Sequence, residues 1–130
     1  MNKLRIYVFG NTFVKEDIGA LLIMPVLQRK FPEIQFILTD PNEDFPPKKE
    51  KDIIILDTVK GISSTTLLDF TNLQNIEKTP ISPHDYDLLL HLLLLKKMGK
   101  INSVKIIGLP MYLVIKKELN KTIQIISSLL

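Results

Sequence analysis

A small set of side chains in this chain has the chemistry to bind a metal ion or to transfer a proton. The set comprises Glu16, Asp17, Asp40, Asp57 and His84. Carboxylates combined with one imidazole form a hard-to-borderline ligand set, which suits nickel, zinc, iron or manganese without singling one out. The chain has no cysteine, which excludes thiolate ligands, thiol nucleophiles and disulfides. Whether these residues act together depends on the elements that position them.

Asp57 and His84 each also have a purely structural explanation. Asp57 ends a wholly apolar segment, where a carboxylate needs partners or a cation, because burying it alone is costly. The structural alternative is a cap on the following turn, through Thr58 or Lys60. His84 lies in a predicted first helical turn, where the helix dipole favours the neutral imidazole that metals bind. Its structural alternative is a surface histidine. His91 lies among leucines and is interpreted as a core histidine with one hydrogen-bond partner.

Strand-like and helix-like segments alternate along the chain. The predicted strands cover residues 4–9, 34–39, 52–57, 67–70 and 104–108. The predicted helices cover 19–30, 82–98 and one or two within 112–129, and Pro25 predicts a kink or a late start in the first. This alternation predicts a single α/β domain over residues 1–130. We expect a three-layer sandwich, with a twisted, mostly parallel sheet of about five strands covered by helices on both faces.

The predicted topology brings the acidic residues to one edge of the sheet. In open parallel sheets, ligands bind beyond the carboxyl ends of the strands. Residues 11–17 follow the first predicted strand, Asp40 follows the second and Asp57 the third. The pair Glu16-Asp17 has a structural alternative, as the cap and first-turn charge of the next helix.

Charge and hydropathy argue against two classes of partner. The net charge is +3, and the densest basic run, residues 48–51, is partly neutralised by Glu50 and Asp52. A nucleic-acid binder usually concentrates its cations on one face, so we expect no nucleic-acid partner. The longest apolar run, residues 88–95, is too short to span a bilayer, and no secretory signal pattern opens the sequence. We therefore expect a cytoplasmic protein without a membrane partner.

Four segments resemble, in order and spacing, the endopeptidases that mature nickel–iron hydrogenases. These are Gly10-Asn11 followed by the acidic pair and Gly19, an apolar strand ending in Asp57, a helix opening Ser82-Pro83-His84, and a late strand ending in Gly108-Leu109-Pro110. The resemblance covers nearly the whole chain. Two departures stand out. Ile18-Gly19 follows the acidic pair where the family usually has Gly-x-Gly, and Pro41-Asn42-Glu43 follows Asp40 where the family commonly has two glycines.

This resemblance implies a peptidase of the aspartic or metal-dependent type. It would recognise nickel already inserted into a hydrogenase large-subunit precursor and then remove the precursor's C-terminal extension. The implied metal ligands are Asp17, with Glu16 as the alternative, Asp57 and His84; the implied catalytic residues are Asp40 and Asp17. The nickel comes with the substrate, no organic cofactor is expected, and the protein is expected to be a monomer.

Two other classes of function remain open. A non-catalytic chaperone or a degenerate protease would hold the same precursor without cutting it, which the altered glycines favour. A flavodoxin-like nucleotide or flavin domain would use Thr12 and the Gly10-Asn11 turn as part of a phosphate loop, but no glycine-rich fingerprint follows.

Overall fold

The fold was analysed in a computed structural model, which describes residues 4–10, 19–39, 45–59, 61–70, 83–111 and 115–130. Within α2 and α3, the side chains of residues 83–88 and 115 are also outside the description. The strands are β1 (Leu4–Val8), β2 (Ile34–Leu38), β3 (Asp52–Thr58), β4 (Thr66–Asp69) and β5 (Ser103–Leu109). The helices are α1 (Gly19–Lys30), α2 (Pro83–Lys97) and α3 (Ile115–Leu129).

The five strands form one sheet in the order β2-β1-β3-β5-β4. The pairs β1–β2, β1–β3 and β3–β5 are parallel, and β4 runs antiparallel to β5 at the edge. The α/β fold with a mostly parallel five-stranded sheet is therefore confirmed. The carboxyl ends of β1, β2, β3 and β5 lie at one edge, and β4 begins at that edge because Thr66 pairs with Gly108.

Helices cover both faces of the sheet, and two apolar clusters separate the layers. α1 and α3 pack on one face and α2 on the other. β3 lies between the clusters, and its side chains alternate between them. Ile54 and Leu56 belong to the cluster beneath α1 and α3, whereas Ile53 and Ile55 belong to the cluster beneath α2. This double burial explains the unbroken apolar sequence of the strand.

The ends of α2 follow from its sequence. Pro83 occupies the first helical position, where its missing N–H is not needed. At the other end, the Lys100 N–H donates to the Leu95 carbonyl at 2.9 Å, and the Gly99 N–H donates to the Lys96 carbonyl at 3.0 Å. This is the Schellman arrangement, and it requires the positive φ of 76° that Gly99 adopts.

Some sequence-based expectations need correction. His91 is exposed, so its interpretation as a core histidine is wrong. Leu89, Leu92 and Leu93 face the sheet, and the 100° advance per helical residue places His91 on the other side. α1 begins at Gly19 without a late start and accommodates Pro25 on its exposed side. No helix in the described ranges is long and apolar enough to cross a membrane.

Candidate active site

Asp57 lies near the carboxyl end of β3, where it is half-buried. It continues the alternation of Ile53 and Ile55, so its side chain extends from the face that α2 covers. Its Oδ1 accepts a hydrogen bond from the Thr58 N–H at 2.8 Å, which is the turn-capping contact that the structural alternative predicted. This contact fixes one oxygen of the carboxylate.

His84 is the second residue of α2, and the fold carries that end of the helix to the same edge. The loop that follows α2 lies at the opposite edge, where the Asn102 N–H donates to the Lys51 carbonyl at 2.6 Å. Followed backwards from that loop, the 15 residues of α2 span about 22 Å toward the carboxyl edge. The seven residues of β5 extend about 23 Å. The start of α2 and the Asp57 side chain therefore lie at the same edge and on the same face of the sheet, although the His84 side chain lies outside the described part.

The other predicted site residues, Glu16, Asp17 and Asp40, lie outside the described residues. The segments that lead to them leave the sheet at the same edge as Asp57. The Phe9 N–H donates to the Leu56 carbonyl at 3.0 Å, and the Thr39 N–H donates to the Val8 carbonyl at 2.9 Å. Among the side chains that the structure describes, no group of three His, Asp or Glu residues could hold a metal ion. Of the proposed ligands, only the Asp57 side chain is among those described, so the assembly of the site stays a prediction.

A buried carboxylate that the sequence analysis missed also lies at this edge. Glu118, in the first turn of α3, is only 3% exposed. Its Oε2 accepts hydrogen bonds from the Thr65 N–H at 2.8 Å and from the Thr65 hydroxyl at 2.6 Å. Burial alone raises the pKa of Glu118. The hydrogen bonds from Thr65 and the nearby Lys121 and Lys117 outweigh burial, so the pKa falls below its ordinary value.

The sequence did contain a signal for Glu118. It lies four residues before Thr122 and eight before Ile126, both of which are fully buried. A glutamate in phase with the inward face of an amphipathic helix is expected to be buried and to need a donor. Its partner Thr65 could not be found in this way, because the two residues are 53 positions apart.

The segment that contains Thr65 leads from β3 across the carboxyl end of β5 to β4. The Val59 N–H donates to the Leu109 carbonyl at 2.8 Å, which holds the start of the crossing. Further along, Ile62 packs onto Gly108. A Cβ atom at Gly108 would lie 2.9 Å from Cγ2 of Val59 and 3.3 Å from Cδ1 of Ile62, so the close crossing depends on glycine there.

A cavity of about 270 Å³ opens beside this crossing. It is lined by Gly61, Ile62, Ser63, Pro110 and Met111. Gly108, onto which Ile62 packs, is the β5 partner of Asp57 in the sheet. The cavity therefore lies at the same edge of the sheet as Asp57, where ligands bind in sheets of this kind, with Ile62 and Gly108 between them.

These features define an α/β protein whose candidate site lies at the carboxyl edge of its sheet, between Asp57 and the start of α2. The fold is shared with the [NiFe] hydrogenase maturation protease HybD from Thermococcus kodakarensis, with a TM-score of 0.64 and 19% identity over 98% of this chain and 99% of that one. An uncharacterized protein from Wolinella succinogenes has a TM-score of 0.58 and 13% identity over 99% of this chain and 100% of that one.

The sequence comparisons add no further relative, since no family model and no curated protein matches the chain. At 19% and 13% identity, the structural likeness shows that this chain shares the fold of these proteins and nothing finer. The fold that the sequence resemblance implied is thus confirmed in three dimensions over nearly the whole chain.

Proposed function

We propose that this protein is an endopeptidase that removes the C-terminal extension of a nickel-loaded nickel–iron hydrogenase large-subunit precursor. One observation carries the proposal: the Asp57 side chain and the start of α2, which bears His84, lie at the same edge and on the same face of the sheet. They do so in a fold that a hydrogenase maturation protease shares. The four sequence segments that resemble that family support the same function.

In the proposed mechanism, the precursor's nickel is part of the substrate and is bound by Asp57, His84 and either Asp17 or Glu16. Neutral imidazole and carboxylate oxygens suit such an ion. The half-buried position of Asp57 keeps its carboxylate at the edge while the Thr58 N–H fixes one of its oxygens. Precursor without nickel would lack the ion that these side chains bind, which makes recognition dependent on correct loading.

Peptide-bond cleavage requires a nucleophile and a group to accept its proton. The chain has no cysteine and its sequence suggests no Ser/His/Asp arrangement, so we assign water as the nucleophile. Asp40, which follows the carboxyl end of β2 in the sequence, is the proposed base, with Asp17 as the second catalytic carboxylate. A substrate-borne metal ion can also polarise a carbonyl group or lower the pKa of a bound water.

The test is a cleavage assay with nickel-loaded precursor, run beside nickel-free precursor and measured by intact mass. We expect a C-terminal peptide to be lost from the loaded form alone. Equal cleavage of both forms would contradict metal-dependent recognition, and no cleavage of either form would contradict the protease assignment.

A non-catalytic precursor chaperone is the second candidate. Pro41-Asn42-Glu43 after Asp40, in place of the glycines common in the family, favours it. This function predicts a stable complex with nickel-loaded precursor and no change of precursor mass. Size-exclusion chromatography of the mixture, combined with the same mass measurement, separates the two candidates.

A further inference from the structure

The cavity between residues 61–63 and 110–111 has a size that limits its occupant. Small-molecule and cofactor sites usually measure about 300–1,000 Å³. A cavity of about 150 Å³ is already sufficient for a benzene molecule. At about 270 Å³ this cavity has room for one large side chain, and it is small for a nucleotide or a flavin.

The lining also limits the chemistry of the occupant. Ile62, Pro110 and Met111 supply apolar surface, and the Ser63 hydroxyl is the one polar side-chain group among the lining residues. None of the lining side chains is charged, so a charged occupant would lose water without gaining a counter-ion. An uncharged, apolar group is the complementary occupant.

The wall of the cavity is held at both ends, so the cavity is formed before any ligand binds. At one end Val59 is hydrogen-bonded to Leu109. At the other, Thr65 donates two hydrogen bonds to the buried Glu118 carboxylate. Between them Ile62 packs onto Gly108. A preformed pocket binds with a smaller loss of conformational entropy than a loop that must be ordered.

The location connects this pocket to the candidate active site. Ile62 contacts Gly108 on the face from which Asp57 extends, and Asp57 and Gly108 are paired on neighbouring strands. Neighbouring strands lie about 4.8 Å apart. A polypeptide bound at Asp57 would therefore place a neighbouring side chain within reach of the pocket.

We propose that this cavity is a substrate subsite, which accepts one uncharged apolar side chain of the polypeptide bound beside Asp57. Ile62, Ser63 and Met111 determine which side chain fits, and the Glu118–Thr65 contact positions the wall. The identity of the polypeptide as a precursor chain rests on the proposed function, but the pocket and its preference for an apolar group do not.

The first experiment changes the exposed lining residue. Ser63→Phe fills the mouth of the cavity, Ser63→Asp places a charge there, and Ser127→Phe on the exposed side of α3 is the control. A hydrophobic pocket discriminates by about 10–200-fold for a single methylene, so we expect both Ser63 variants to lower kcat/KM at least about tenfold. The loss should be mainly a higher KM, and the control should stay within about twofold of the original protein. Unchanged processing by both Ser63 variants would overturn the proposal.

The second experiment measures binding without cleavage. N-acetyl-leucine amide and N-acetyl-aspartate amide are titrated into isotope-labelled protein, and amide resonances are followed by NMR. We expect millimolar binding of the leucine probe, with saturable shifts at Gly61 and Ser63 that Ser63→Phe abolishes and that the aspartate probe does not cause. Equal shifts with both probes, or none with either, would overturn the subsite. Leucine-specific shifts in a protein that cleaves no precursor would support the subsite and contradict the proposed function.

Discussion

Glu118 shows how a single carboxylate can tie a helix to a loop at the edge of the sheet. Leaving a buried acceptor without its donors lowers the stability of a protein by about 1–3 kcal/mol. Its two hydrogen bonds from Thr65 join the first turn of α3 to the segment that walls the cavity. The Lys117 and Lys121 charges and the positive end of the helix dipole favour the ionised form.

This ionised carboxylate should make the protein sensitive to acid. Its pKa in the folded protein lies below the ordinary value of 4.5, so ionisation contributes stability at higher pH and that contribution is lost as the pH falls below about 4.5. We expect Glu118→Gln to be less stable by about 1–3 kcal/mol at neutral pH and to lose less stability on acidification. Urea unfolding across the acid range measures both effects.

The exposed Glu33 provides the control, because Glu33→Gln should change stability at neutral pH by no more than about 0.5 kcal/mol. An equally steep acid loss in the Glu118→Gln protein and in the original would contradict this account.

Tyr7 is a second buried group whose titration should be measurable. Its hydroxyl donates to Oε2 of Glu50 at 2.8 Å, and Arg5 forms an ion pair with the same oxygen at 3.2 Å. Burial and the hydrogen bond to Glu50 raise the pKa of Tyr7 from 10.0 to about 12. The stabilisation is therefore present below pH 10 and is lost as the pH rises through 12.

We expect one tyrosine of this chain to ionise about two pH units later than a free tyrosine in an ultraviolet absorbance titration. Tyr7→Phe should remove that late step. A late step that persists in the Tyr7→Phe variant would show that another tyrosine causes it.

At the scale of the elements, the part of α2 whose side chains are described carries leucines on both its inner and its outer face. Leu93 is 6% exposed and belongs to the apolar cluster between α2 and the sheet, whereas its neighbour Leu94 is 55% exposed. Replacing a buried leucine by alanine removes packing and leaves a cavity, at a cost of about 2–5 kcal/mol. Exposed substitutions usually change stability by no more than about 0.5 kcal/mol.

Leu93→Ala and Leu94→Ala are thus matched variants that differ in the face they alter. We expect the first to lower the free energy of unfolding by about 2–5 kcal/mol and the second to change it by about 0.5 kcal/mol or less. Chemical denaturation of both proteins is the measurement. Similar losses in the two variants would mean that the outer face of α2 is also covered.

The two-sided apolar character of α2 also explains what the sequence could and could not predict. Local signals were sufficient for its ends, because Pro83 and Gly99 have conformational preferences that do not depend on the rest of the chain. They were insufficient for its orientation. Exposed Leu90 and Leu94 flank the exposed His91, so the leucine run does not reveal which side faces the sheet and wrongly indicates a core position for His91.

The crossing segment illustrates a different limit of sequence information. The packing of Ile62 onto Gly108 and the hydrogen bonds between Thr65 and Glu118 join residues 46 and 53 positions apart in the numbering. Such contacts are fixed by strand order, which periodicity does not specify. Predicting Asp57 at the carboxyl edge was possible because it required only that β3 belong to a parallel sheet.

At the scale of the whole molecule, the direction of the sheet distinguishes two aspartates on one strand. Asp52 begins β3 and Asp57 lies near its end, about 17 Å away along the strand. Asp52 is exposed at the amino edge, where the Ser103 hydroxyl donates to its Oδ1 at 2.7 Å. Asp57 lies at the carboxyl edge, level with the start of α2.

The proposed function therefore predicts opposite outcomes for the same substitution at the two ends of β3. Asp57→Asn keeps an oxygen for the Thr58 N–H but removes the negative charge, and we expect processing of nickel-loaded precursor to fall at least about tenfold. Asp52→Asn keeps an acceptor for Ser103, and we expect processing within about twofold of the original rate and stability changed by no more than about 0.5 kcal/mol. Precursor processing and urea unfolding are measured on both variants, so that a loss of activity is separated from a loss of fold. Equal activity of the two variants would remove Asp57 from the site, because the proposed role of this aspartate depends on the edge at which the strand ends.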